Sequence, residues 1–201
     1  MKLRFLLPLA AFAVSVASLP ADILSEVPKY AQDELAEGQI VVKSENVQGA
    51  PWPKLMLYQV VNAPPSVVWN LFNDYPAASQ YTPGLIAAKV IETYPDGSKD
   101  VQYTVKVPII QRATYVVHNT YSQKGNIQEV AWNLVKSPLA RSSTGSLRIE
   151  PYGNNQTLLC YTNLVVPITN LVAGLKNEAL SSAKVTVRAL KAEAERRAAG
   201  S

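Results

Sequence analysis

One histidine, one cysteine and ten tyrosines set the chemistry open to this 201-residue chain. His118 and Cys160 each stand alone, so the clustered His and Cys ligands that a transition-metal site needs are missing. A single thiol also gives no internal disulfide, and the fold must rest on packing. General acid–base catalysis wants His, Asp, Glu or an activated Tyr aimed into a cavity. His118 alternates with Tyr115 and Val117 along its strand and falls on the opposite face, so it is read as an outer or edge histidine. Glu92 and Glu129 would face inward only if the strand register slipped by one residue. No Ser–His–Asp set can be assembled, and no glycine-rich loop is present to cradle phosphate. What remains inward is Tyr103, Tyr115, Tyr121, Trp132 and Tyr161, with Asn119 and Asn163. These are large apolar bodies and neutral polar tips, which bind and orient a molecule without supplying a proton-transfer engine. No cofactor is implied.

Composition narrows the class further. With 48% apolar and 17% charged residues, the chain can bury one sizeable core but not two ordinary ones. The formal charge of +4 includes Lys2 and Arg4, which belong to a leader, so charge gives no support for nucleic-acid binding. Residues 1–21 carry that charged start, an apolar stretch over 5–16, and small residues at Ser15, Ala17 and Ala21 that offer cleavage sites. The reading is export, most simply to a periplasm, with the mature chain starting between Ser18 and Asp22. An uncleaved anchor is the alternative, although the apolar run is short for a span. The triplet Asn155-Gln156-Thr157 would accept glycan only in a eukaryotic secretory route.

The elements that must position the tyrosines follow from periodicity. Residues 22–36 give a weakly periodic helix stopped at Gly38, residues 39–44 a short strand, and residues 48–54, with Pro51 and Pro53, a loop. Residues 55–61 form an apolar strand. Pro64-Pro65 opens a helix whose Val68, Leu71 and Phe72 share one buried face. Asp74-Tyr75-Pro76 ends it, and 77–81 allows one further helical turn before Pro83-Gly84. Strands then follow over 85–94, 100–107, 112–122, 127–135, 141–150 and 157–166, with turns such as Pro95-Asp96-Gly97-Ser98 between them. Val101, Tyr103, Val105 and Val107 alternate with Gln102, Thr104 and Lys106, as in a half-buried antiparallel strand. After Pro167 the period becomes 3.6, and Ile168, Val172, Leu175, Ala179, Ala183, Val187, Leu190 and Ala194 line one helical stripe. The charges ending the chain are read as a solvated helix face, with transient contact to a membrane surface as the alternative.

This order, with Val61-Asn62-Ala63-Pro64-Pro65-Ser66-Val67-Val68-Trp69, Asp74-Tyr75 and Tyr81-Thr82-Pro83-Gly84, resembles the START-like superfamily of polyketide cyclases and lipid-transport proteins, nearest its coenzyme-Q-binding group. The resemblance covers roughly residues 55–197. It implies an α+β helix-grip fold, in which a curved antiparallel sheet of about seven strands wraps a long C-terminal helix around an apolar cavity. The narrowing of the stripe to Ala179 and Ala183 is independent support for such a cavity. The division that follows is a leader at 1–21, an N-terminal extension at 22–54 and a ligand-binding domain at 55–198. The expected ligand-binding residues are Tyr103, Val105, Tyr115, Val117, Trp132, Leu147, Tyr161 and Asn163 on strands, with Leu175, Ala179 and Ala183 on the helix. The expected function is a monomeric, non-enzymatic carrier of a lipid, quinone or sterol-like molecule. The alternative is a cyclase- or aromatase-like enzyme using Tyr and carboxylate groups in the same cavity.

Overall fold

The computed structural model describes residues 22–107, 111–168 and 176–200. Its centre is one antiparallel sheet in the order β1-β2-β8-β7-β6-β5-β4-β3. The strands are β1 (Val41–Glu45), β2 (Lys54–Val61), β3 (Leu85–Thr93), β4 (Lys99–Val107), β5 (Gln111–Lys124), β6 (Ile127–Lys136), β7 (Ala140–Tyr152) and β8 (Gln156–Pro167). The meander and the first long strand account for seven of the eight. The short strand from the N-terminal segment is the eighth, paired to β2 with Val42 opposite Leu57. Helices α2 (Pro65–Asn73) and α3 (Tyr75–Tyr81) lie between β2 and β3, after a short α1 (Gln32–Ala36), and the chain ends in α4 (Lys176–Ala199).

Helix α2 starts as its sequence dictates. Pro64 is the N-cap and Pro65 the first helical residue, where a missing N–H costs nothing. Val68 and Leu71 are fully buried, and Phe72 is partly buried against the same core. Asp74 caps α3 by accepting the Ala77 N–H at 3.4 Å. The end of α4 is seated by polar contacts at the far end of the sheet. Lys191 Nζ donates to the Val60 carbonyl at 2.9 Å, and Glu195 accepts the Asn62 N–H at 2.8 Å.

Register divides every strand into a helix-facing and an outer set. Leu57, Val61, Leu147, Ile149 and Leu159 pack with Ala183, Val187, Leu190 and Ala194 of α4. The alternate residues Met56, Tyr58, Val60, Leu158 and Cys160 form a second core on the outer face, closed by Ile23, Val27, Ala31 and Leu35. The segment 22–36 is therefore the cover of that face. Arg148 clamps it, donating from both terminal nitrogens to the Glu26 carboxylate at 2.6 Å each. Burial works against the charge on Glu26, but the guanidinium holds its carboxyl below the usual range.

Gly145 occupies a place where no side chain fits. A Cβ there would collide with the Thr162 carbonyl and the Trp132 indole. Trp132 pairs directly with Gly145 across β6 and β7, so its ring takes the space the glycine leaves. Gly145→Ala should therefore destabilise the protein by about 1–3 kcal/mol, read as a fall in melting temperature with a changed Trp132 emission. An unaltered melt and spectrum would show that the indole is not held there.

Candidate functional site

Register places the sequence-predicted tyrosines and asparagines on the side of the sheet that faces α4. One cross-strand row runs Lys99, Asn119, Trp132, Gly145, Asn163 and Leu55. The neighbouring rows bring in Tyr103 with Tyr115, Val101 with Val117, and Leu147 with Tyr161. Tyr103 and Tyr115 stack, with ring centroids 5.4 Å apart, and Trp132 lies 5.4 Å from Tyr161. Tyr75 of α3 closes one end. Its hydroxyl bonds that of Tyr121 at 2.7 Å and accepts from the Asn119 amide at 2.9 Å.

Burial is graded along this face. Val101, Val117, Leu147, Ile149 and Leu159 are buried, whereas Tyr103, Val105, Tyr115, Trp132, Tyr161 and Asn163 are only partly so. The inner side is thus packed at one end of the strands and looser toward the other. At that looser end a cleft of about 240 Å³ runs between Val42, Ser44, Leu55, Asn163 and Val165 of the sheet and Lys176, Ala179 and Leu180 of α4, with Trp52 and Pro53 at its lip. Asn163 and Ala179 are therefore at the cleft, while Ala183, one turn further along, is 5% exposed and sits in the core with Val187. Leu175 lies outside the described residues. Trp52, flanked by Pro51 and Pro53, belongs to the lip although its sequence reads as loop. An aromatic between two prolines is the signal that could have marked it. A shallower surface cleft of about 360 Å³ joins Gln39 and Gln59 to Arg188, Lys191 and Glu195 and contains none of the predicted residues.

The electrostatics of the two faces differ. Every Asp, Glu and His on the strands pairs into the outer set: Glu45 with Lys54, Glu92 with Asp100, Asp100 with His118, Glu129 with Arg148, and Glu150 with Leu158. His118 Nδ1 lies 2.7 Å from Asp100, whose other oxygen accepts the Tyr94 hydroxyl at 3.1 Å. A one-residue register shift between Val90 and Glu92 sets Glu92 opposite Asp100, and Glu129 pairs with Arg148, so neither carboxylate faces α4. Burial pushes the Tyr115 hydroxyl up to about 12 and raises those of Tyr103 and Tyr161 further above the ordinary phenol range. These hydroxyls stay protonated at neutral pH and serve as neutral donors and acceptors. The side-chain oxygens of Asn119 and Asn163 are buried and find no hydrogen-bond partner among the described residues. Among the described residues, no group of His, Cys, Asp and Glu could hold a metal ion.

A curved antiparallel sheet folded on a C-terminal helix defines the helix-grip class. The sequence matches the family described as "Polyketide cyclase / dehydrase and lipid transport" over residues 61–164, and the chain belongs to it. Solved structures agree on the fold. A STAR-related lipid transfer protein from Xanthomonas axonopodis superposes with a TM-score of 0.67 at 17% identity, over 77% of this chain and 93% of that one. The Zhui aromatase/cyclase of a Streptomyces species gives 0.61 at 21% identity, over 72% and 94%. Human StAR-related lipid transfer protein 5 gives 0.64 at 13% identity, over 87% and 93%. A search of curated proteins finds no match by sequence.

Proposed function

We propose that the chain is an exported carrier of an apolar small molecule, a lipid, quinone or sterol-like compound held between the sheet and α4. The observation that carries this reading is the segregation of chemistry across the sheet. Carboxylates and the histidine of the strands lie outside, while tyrosine hydroxyls and asparagine amides line the inner face. Catalysis by proton transfer needs a group that titrates near the working pH, and a phenol pushed up to about 12 is a poor base. Binding needs no such group. Each buried methylene of a ligand contributes about 0.8 kcal/mol, so a modest chain binds well without a charged anchor. The similar structures include both lipid transfer proteins and an aromatase/cyclase, and an inner face without strand carboxylates or histidine favours the first. The leader-like residues 1–21 support export.

Native mass spectrometry of protein recovered from its own compartment is the test. The expected spectrum shows a non-covalent adduct that organic extraction removes and identifies. Protein that carries only its own mass, and takes up no fatty-acid or quinone probe on addition, would overturn the reading.

A further inference from the structure

The outer core holds a carboxylate that has no ion-pair partner among the described residues. Glu150 is 7% exposed, and its Oε1 accepts the Ile23 N–H at 2.9 Å and the Leu24 N–H at 3.3 Å. Among the described residues no Lys, Arg or His forms an ion pair with it. Its surroundings are acidic. Asp22 and Glu26 lie close enough to act on it, Arg148 is committed to Glu26, and Lys43 acts on Glu26 as well. Burial, joined by Asp22 and Glu26, pushes the Glu150 carboxyl up. Two backbone N–H groups meet one oxygen of this carboxylate, and a cation beside it would favour its charged form.

We propose that Glu150 is a receptor for the α-ammonium group that leader removal creates at Asp22, so that cleavage falls after Ala21 and completes the outer core. The inference rests on the export reading above and deepens it. Covalent geometry keeps the Asp22 nitrogen about 3 Å from that of Ile23, which already touches Glu150. One oxygen of the Asp22 carboxylate is engaged by the Ser25 N–H, which it accepts at 2.8 Å. Hydrolysis of the Ala21–Asp22 bond consumes one water and leaves a carboxylate on Ala21 and an ammonium on Asp22. Cleavage after Ala17 would put the new charge four residues away, and an amide at Asp22 brings Glu150 no charge.

The test starts from the full chain, expressed with its leader in an exporting host, and reads the intact mass of the product. The expected product starts at Asp22. Its α-amine, held by Glu150, titrates above the usual value of about 8, and a shift of one unit leaves about tenfold less free amine near neutrality. Reductive methylation near pH 7 should therefore modify it about tenfold more slowly than an unconstrained α-amine. Raising a cation's pKa on folding gives stability that is complete below its unfolded value and is lost as pH climbs through the folded one. The melting temperature should accordingly fall from pH 7 to 10 by more in the parent than in Glu150→Gln. An exported chain that starts elsewhere, identical profiles for parent and variant, or an α-amine of ordinary reactivity would each overturn the proposal. If Glu150→Gln does not fold, the amine reactivity of the parent decides alone. Soluble chain retaining Met1 in the cytoplasm would instead sink the export reading, and this inference with it.

Discussion

Leu35→Ala is expected to lower the stability of the whole protein by roughly 2–5 kcal/mol, as much as Leu71→Ala on the other side of the sheet. Both leucines are fully buried, Leu71 under α4 with Val68 and Leu35 under the outer face with Met56, Tyr58 and Leu158. Truncation at either site removes the same methylenes and leaves a cavity that a close-packed core only partly closes. The Glu26–Arg148 clamp and the β1–β2 pairing tie the N-terminal segment to β7 and β2, so its loss cannot be local. Urea titration should show one transition whose midpoint drops with an unchanged slope. If residues 22–36 were a detachable extension, Leu35→Ala would leave that midpoint where it was, or split off a minor early transition.

That outer core was only half legible in the sequence. Residues 55–61 read as a strand, but nearly every residue of Lys54–Val61 is apolar or buried, with Met56 to Val61 buried on both faces. A strand solvated on one side alternates, whereas one covered on both sides reads as a continuous apolar run. The run was therefore the signal that something covers the outside of β2. What supplies the cover could not be read locally, because Glu26 and Arg148 lie 122 residues apart and neither sits in a recognisable motif. The inner face was more legible. Period-2 alternation placed Tyr103, Tyr115, Asn119, Trp132 and Asn163 on one side and His118 on the other, and the ladder pairs them that way. Alternation along residues 141–150 puts Gly145 on the face of Leu147 and Ile149, but it does not show that a glycine is required there. Only the position of the Trp132 ring shows why a side chain is refused there.

The helix stripe shows where periodicity stops informing. Ala179 and Ala183 are one turn apart on the same face of α4, and the sequence treats them alike. Their surroundings differ because the sheet closes on the helix toward its C-terminal end. Ala183 meets the core of Leu57 and Leu159, whereas Ala179 borders the cleft with Leu55 and Asn163. Depth beneath a curved sheet is a tertiary quantity, and a 3.6-residue repeat carries no record of it.

The same difference gives the second large prediction. Ala179→Trp should fold with a melting temperature close to that of the parent, since the indole enters space that the cleft already holds. Binding of an environment-sensitive fatty-acid or quinone probe should fall by more than tenfold. An indole that displaces even two methylenes of ligand removes about 1.6 kcal/mol of burial, beyond the 1.4 kcal/mol that corresponds to a factor of ten. Ala183→Trp is the control on the other side of the gradient. Its ring would have to enter the packed core beside Val187 and Leu190, and overpacking there costs roughly 1–3 kcal/mol or more. The pair separates loss of a site from loss of a fold, because only Ala179→Trp should combine a near-parental melt with a weakened probe. If Ala179→Trp binds the probe as tightly as the parent does, the start of α4 does not border the ligand. If it unfolds as Ala183→Trp is expected to, the cleft is too tight to admit a ring, and the carrier reading loses its entrance.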